Sequence, residues 1–597
     1  MLTLLRGAAL AAPALLVAAP AAAQDSLDLV PADAFFLLRV ESVADLHTAV
    51  ARSDYFEFLA GPDGVLEGSG LLDAIEAEAG VGLDLAAFVR LLGSTEPLDQ
   101  PTIDALPAEV VEAWRFVRGF NGSFTLFVSG SPAPGHGLGF GLVMEPGRPM
   151  DAFTSELEAL FDHPPVWTER DGLLVATETE DAFEMQTAFV VKGQRHLVFV
   201  GGSSVPHALE QLDRVAAVER GDEVDGLSTN PRWVESAAAT AGLGQGRLFV
   251  DLVPLLGSLQ LDALEQGLAV DAPVSPAALV EDLGFMDMRW IAAKLHVGEG
   301  EAFSFDLEMH VPEDCILSRM LDLSSGGVPT HLLARFGEGL VRANAARFDV
   351  GGFVDMALDL AGRYGGDDAA SLEQELAALP TMLGFDPIED LLRQMNGEFA
   401  FVQTEAAAND GELGMGALMG GDTTFVMGLH DARRFEDAVW NVLAFAESMG
   451  ETPMPIEEEE AGGRPFNRFT SPLGDVFFAF GRDAFAVGVD RDDVLRALRP
   501  SPPGTPSVMD DPLFTRAFDA HPGALFVDVA RTGDSLGTMF DAFGPVAALA
   551  ATEDEAVPNE LANLARFGER ARARFAGHMT QAVERTPRGL RVHFGAH

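Results

Sequence analysis

The chain predicts an α+β fold in two homologous halves, each a largely antiparallel multi-stranded sheet with helices inserted between strands. Three observations predict it. A helix–turn–strand passage occurs twice. It runs from Gly82-Leu83-Asp84 through Leu91-Leu92-Gly93 into Asn121-Gly122-Ser123-Phe124. It returns from Gly384-Phe385-Asp386-Pro387 through Asp390-Leu391-Leu392 into Asn396-Gly397-Glu398-Phe399. Short apolar runs follow one another at hairpin spacing, the signature of antiparallel neighbours. Leu248-Phe249-Val250-Asp251 returns as Leu525-Phe526-Val527-Asp528.

Taken in order, residues 1–23 have the form of a secretory signal. Arg6 supplies the charged n-region, Ala8 to Val17 the apolar core, and Ala21-Ala22-Ala23 the small residues of a cleavage site. The run is too short for a bilayer span, and Pro13 and Pro20 interrupt it. No Cys at the cleavage site supports lipid attachment. The expected mature chain starts at Gln24 and is periplasmic or extracellular.

The first half is expected over 24–311, a linker over 312–327 containing Leu323-Ser324-Ser325-Gly326-Gly327, and the second half over 328–597. Each half opens with Val-Pro and a strand, Val30 to Val40 and Val328 to Phe336. After the Asn-Gly strand come Gly139 to Met144 with the helix Met150 to Phe161, and Thr424 to Leu429 with the helix Arg433 to Phe445. Phe153 matches Phe435. The strands at Val166, Leu173 and His196 match those at Phe466, Val476 and Ala484. Short helices follow, Pro206 to Leu212 and Asp492 to Leu498. Asn230-Pro231 and Asp511-Pro512 read as an N-cap with proline at the first helical position. Closing hairpins are Arg289 to His310 and Thr580 to Phe594. This makes roughly nine strands per half. The segments 94–114, 365–373, 406–421 and 447–463 differ between halves and read as insertions.

These residues resemble a bacterial exported family known only as a domain of unknown function. Val30-Pro31-Ala32-Asp33, Gly384-Phe385-Asp386, Asp390-Leu391-Leu392 and Gly397-Glu398-Phe399-Ala400-Phe401 carry the resemblance. It implies an extracytoplasmic protein and brings no catalytic residue.

The net charge is −53, from 39 Lys+Arg against 92 Asp+Glu, and the only lysines are Lys192 and Lys294. Such a field repels nucleic acid and anionic membranes. No later segment is apolar for long enough to cross a membrane. The single Cys315 allows no internal disulfide and reads as a buried small residue.

No constellation of residues commits to chemistry. The 13 His are scattered; His163, His196, His207 and His521 lie beside turns or strand starts. Gly201-Gly202-Ser203-Ser204 lacks the lysine of a phosphate loop. Ser129-Gly130-Ser131 has no base nearby in sequence. Asp251 and Asp528 are the best polar candidates, and pairing with Arg or capping a helix is the plainer role. Glu457-Glu458-Glu459-Glu460 could attract calcium, but consecutive strand side chains diverge. No catalytic, cofactor-binding or metal residue is therefore assigned, and no cofactor is expected. The expectation is a non-catalytic binding or scaffold module of the cell envelope, with an envelope protein as partner. The alternatives are a carrier of lipid or another apolar ligand, and a hydrolase with loop-borne carboxylates.

Overall fold

The computed structural model describes residues 24–61, 64–70, 106–133, 137–159, 165–178, 187–222, 224–241, 244–257, 276–298, 302–337, 339–364, 366–404, 421–449, 456–461, 463–471, 474–499, 504–541 and 563–597, with residues 87, 103, 300 and 502. The expected signal (1–23), the helical run before Gly93 apart from Ala87, His163, and residues 94–102, 104–105 and 406–420 of the expected insertions 94–114 and 406–421 lie outside the described residues. The chain is α+β, and no described helix is long and apolar enough to cross a membrane. By its contacts it divides into two compact units: Met1–Gln260 with Phe285–Val311 and His597, and Leu261–Gly284 with Pro312–Ala596.

The first unit has ten described strands: β1 Phe36–Val40, β2 Ser123–Gly130, β3 Leu138–Glu145, β4 Thr168–Arg170, β5 Leu173–Glu178, β6 Thr187–Lys192, β7 Leu197–Gly202, β8 Gly246–Asp251, β9 Trp290–Val297 and β10 Phe303–His310. Their order is β4-β5-β6-β7-β3-β2-β1-β8-β9-β10, antiparallel throughout. Its helices include α1 Val43–Ala51, α2 Met150–Glu158, α3 Val205–Glu219 and α4 Pro231–Ala239. Strand alternation sends Leu37, Phe127, Val143, Val198 and Phe249 to one face, under Leu212 and Val215 of α3 and Trp233 of α4. The opposite face buries Val40, Phe124 and Met144 against Phe153 of α2. Each such side chain contributes about 1.5–3 kcal/mol by leaving water.

The second unit also has ten: β11 Leu340–Arg347, β12 Met395–Thr404, β13 Asp422–Leu429, β14 Ile456–Ala461, β15 Arg464–Ser471, β16 Gly474–Phe480, β17 Ala484–Gly488, β18 Ala524–Arg531, β19 His578–Thr586 and β20 Gly589–Ala596. Their order is β14-β15-β16-β17-β13-β12-β11-β18-β19-β20, again antiparallel. The helices used below are α5 Ile316–Asp322, α6 Val350–Tyr364, α7 Ala432–Met449, α8 Arg491–Ala497 and α9 Pro512–Ala520. Val494 of α8 and Phe514 and Phe518 of α9 cover Ala343, Ala345, Ala400, Val426 and Val527. Phe435 of α7 packs on the other face with Met427 and Leu429.

Local signals worked where the chemistry was short-range. The Asn230 side chain accepts from the N–H groups of Arg232 and Trp233, and Asp511 accepts from that of Leu513, so both cap helices that begin with proline. Gly397 has φ of 81°, and a Cβ there would stand 2.7 Å from the Phe348 carbonyl oxygen, so only glycine fits.

Three expectations fail. By strand order β4 answers to β14 and β5 to β15, so the expected match of Val166 with Phe466 and of Leu173 with Val476 is one strand out, because β6 and β14 are not among the expected strands. Val328 to Phe336 is not a strand: Thr330–Leu333 forms one helical turn after Pro329, and Leu332, Leu333 and Phe336 enter the core at helical spacing. The strand in that role is β11, whose alanines give a weak strand signal. The third failure is the pairing of Asp251 with Asp528. Asp251 ends β8 and a helix starts at Leu252; the residue ending β18, before the helix that starts at Thr532, is Arg531. Cross-strand register agrees. Thr125, Arg39 and Arg247 are neighbours, with Thr125 three residues after Gly122 and Arg247 four before Asp251. Ala400, Ala345 and Val527 are neighbours, three after Gly397 and four before Arg531. The repeated tetrapeptides are thus slipped by three positions. An odd slip reverses faces, so Phe249 points into its core while Phe526 points away.

Candidate functional site

A recess of about 560 Å³ opens in the second unit, lined by Arg319, Asp322, Leu323, Ser325, Arg347, Asp349, Asn396, Glu398 and His430. It is built around the Asn396-Gly397-Glu398 turn. The left-handed Gly397 lets the Phe348 N–H donate to its carbonyl at 2.7 Å, which locks the end of β11 against the start of β12. That places Arg347 and Glu398 as direct cross-strand neighbours, and their side chains form an ion pair.

Glu398 is the most engaged group. Besides Arg347, it accepts from Asn396 Nδ2 at 3.0 Å, and His331 Nε2 lies 3.4 Å away. Its own N–H donates to Asn396 Oδ1 at 3.0 Å, so the turn closes on itself. Asp349 accepts from the Gly352 N–H at 2.9 Å at the start of α6. Asp322 ends α5 and stands 3.4 Å from Arg585 Nε. Arg319 of α5 is less committed, reaching Asp359 only at 3.7 Å. The Arg347 Nε is buried with no hydrogen-bond partner. The recess therefore presents two guanidiniums, three carboxylates and the exposed His430, with each carboxylate already held by a donor.

The other candidates are placed as follows. Asp251 is buried, accepts from Arg232 Nε at 2.7 Å and takes the Val253 N–H at 3.1 Å, so it both pairs and caps. Burial pushes its carboxyl up from the ordinary range, against the pull of Arg232. Asp528 takes both arms of the Arg342 guanidinium, at 2.8 and 2.7 Å. Arg531, the true counterpart of Asp251, reaches Asp511 Oδ2 at 2.6 Å. The two units thus carry the same helix-to-strand ion pair with its charges exchanged.

Cys315 is buried and caps α5, its sulfur accepting from the Ser318 N–H at 3.3 Å. The Gly201-Gly202-Ser203-Ser204 turn is used internally. The Leu138 N–H donates to Ser203 Oγ and the Ser203 N–H to the Leu138 carbonyl, both at 2.8 Å. His207 Nδ1 lies 2.6 Å from Ser204 Oγ. Ser129 is buried and receives only a long contact from Gln211 Nε2 at 3.4 Å. His196 lies 3.1 Å from Glu219, and His521 lies 2.6 Å from Glu584. The four glutamates 457–460 form edge strand β14. Glu457 and Glu459 share a face and both reach Arg468 on β15, so the carboxylates do not converge. Among the described residues no group of three or more His, Cys, Asp or Glu is arranged to hold a metal ion.

Of the recess, sequence reading singled out the Asn-Gly-Glu turn. Arg319, Asp349 and His430 come from distant segments, and nothing in their local sequence marks them. No family model, curated protein or solved structure matches this chain.

Proposed function

We propose that the protein is an exported, non-catalytic binding module of the cell envelope that holds a polar protein partner in the Asn396-Gly397-Glu398 recess. The observation that carries this reading is the lining: charges of both signs from separate elements surround one opening, and its carboxylates are already engaged by donors. Such a surface suits side chains of a partner rather than an apolar ligand. Export rests on residues 1–23, and membership of the exported family called domain of unknown function 3352 rests on the motifs quoted above. An origin by gene duplication is supported by the shared strand order of the two units.

The test has three parts. Purified full-length protein is assayed on esters, peptides and glycosides, and robust turnover of any of them refutes the non-catalytic reading. Mass measurement of protein recovered from the envelope fraction should give a chain starting at Gln24. Crosslinking through a photoreactive residue at Ser325 should yield one defined adduct, lost in R319A/R347A; failure to find one removes the recess from the proposal.

A further inference from the structure

We propose that the first unit binds a small oxyanion, a carboxylate or phosphate group, at the cross-strand row Thr125, Arg39 and Arg247. Arg39 sits in the middle of β1 and is 1% exposed. Its Nε donates to Glu41 Oε1 at 2.9 Å, but Nη1 and Nη2 are buried without a hydrogen-bond partner. Its neighbour on β2 is Thr125, whose buried hydroxyl also lacks a partner. Its neighbour on β8 is Arg247, whose buried Nε lacks one too. Arg247 in turn faces Lys294 on β9, which is paired with Asp306 at 3.5 Å.

A buried guanidinium with idle donors is strongly unfavourable, and like charges directly opposite on adjacent strands add to it. The second unit shows that this architecture does not require such a row. At the corresponding positions it has Ala400, Ala345, Val527 and, opposite Val527, Ala582, all 0 or 1% exposed in its main core. Three cations and a threonine thus replace a dry row, in a chain whose net charge is −53 and whose lysines number two.

The chemistry of the donors selects the ligand. The two idle Nη groups of one guanidinium form a planar fork that matches two oxygens of a carboxylate or phosphate. The hydroxyl of Thr125 and the Nε of Arg247 supply further donors beside it.

The experiment uses full-length protein. Sodium phosphate, sodium acetate and sodium chloride are titrated at equal ionic strength, with binding read by calorimetry and by melting temperature. Saturable stabilisation by phosphate or acetate beyond chloride is expected, since a ligand that prefers the folded state raises its stability. R247L should weaken that binding about tenfold or more, R39M should abolish it, and R342A in the second unit should leave it unchanged. Should R39M fail to fold, R247L decides alone. The proposal is overturned if neither anion exceeds chloride, or if R247L leaves binding intact. Whether phosphate or acetate binds more tightly identifies the source of the group. The outcome is independent of the recess, which the R319A/R347A variant probes separately.

Discussion

The two units share a strand order and differ in what they bury along one line of it. In the second, Ala400, Ala345, Val527 and Ala582 make a dry seam beneath α8 and α9. In the first, Thr125, Arg39, Arg247 and Lys294 occupy that line. The ion pair at the end of the eighth strand in each order is likewise present in both and reversed in sign, Arg232 to Asp251 and Asp511 to Arg531. An antiparallel ladder is indifferent to such exchanges because its hydrogen bonds come from the backbone. The side chains on one row are free to specialise, and only the first unit has put charge there.

Exchanging the rows should give the largest effect. A345R in the second unit buries a charge in a row that holds no carboxylate and should cost about 3–5 kcal/mol, the range for an uncompensated buried charge. R39M in the first removes a charge with two idle donors but leaves Glu41, 11% exposed, without its partner, so it should cost less than A345R when no oxyanion is added. Chemical denaturation of both variants checks this, and equal losses in the two would break the contrast.

The reversed pairs come next. Asp251 is 1% exposed, and D251N removes the charge that satisfies Arg232, a loss of about 1–3 kcal/mol. R531A should cost less, because Arg531 and Asp511 remain partly in water. A larger loss in R531A than in D251N would show that burial does not set the ranking.

A smaller difference concerns pH. Among the described residues each unit has one glutamate held below its ordinary value of 4.5. For Glu219, burial acts upward, but the His196 contact and the Gln194 N–H outweigh it; for Glu584, the His521 contact dominates. A depressed folded value gives stability that is present above the unfolded value and lost as pH falls through the folded one. Stability should therefore fall below pH 4.5, with E219Q flattening the slope more than E584Q, since Glu219 is 8% exposed and Glu584 23%. Acid denaturation at several pH values tests the order.

The smallest effect is expected at the edge of the second unit. R468A removes exposed contacts to Glu457 and Glu459 and should leave the melting temperature unchanged. A measurable drop would mean that this charged edge contributes to the fold, unlike the short exposed β4 at the matching edge of the first unit.

Much of the scaffold was legible in the sequence because it rests on local chemistry. The caps at Asn230 and Asp511 and the closing hairpins were read from short-range signals. The recess was legible only at its Asn-Gly-Glu turn. The expected strands omit β6 and β14 and include the segment that folds as a helical turn at Thr330. The short apolar run after Pro329 satisfies both periods, and only packing chooses between them.

By itself, then, the sequence determined the α+β class, the alternation of the strands it displayed and the helix starts at Asn230 and Asp511, since backbone preference and side-chain spacing act within a few residues. It also displayed Arg39 within Phe35-Phe36-Leu37-Leu38-Arg39-Val40, an isolated cation in an apolar strand. Only the tertiary structure decided which faces meet, that Arg39 lies between Thr125 and Arg247, and that Asp251 answers to Arg531. Strand register is set by neighbours far away in the chain, and a slip of one residue reverses every side chain.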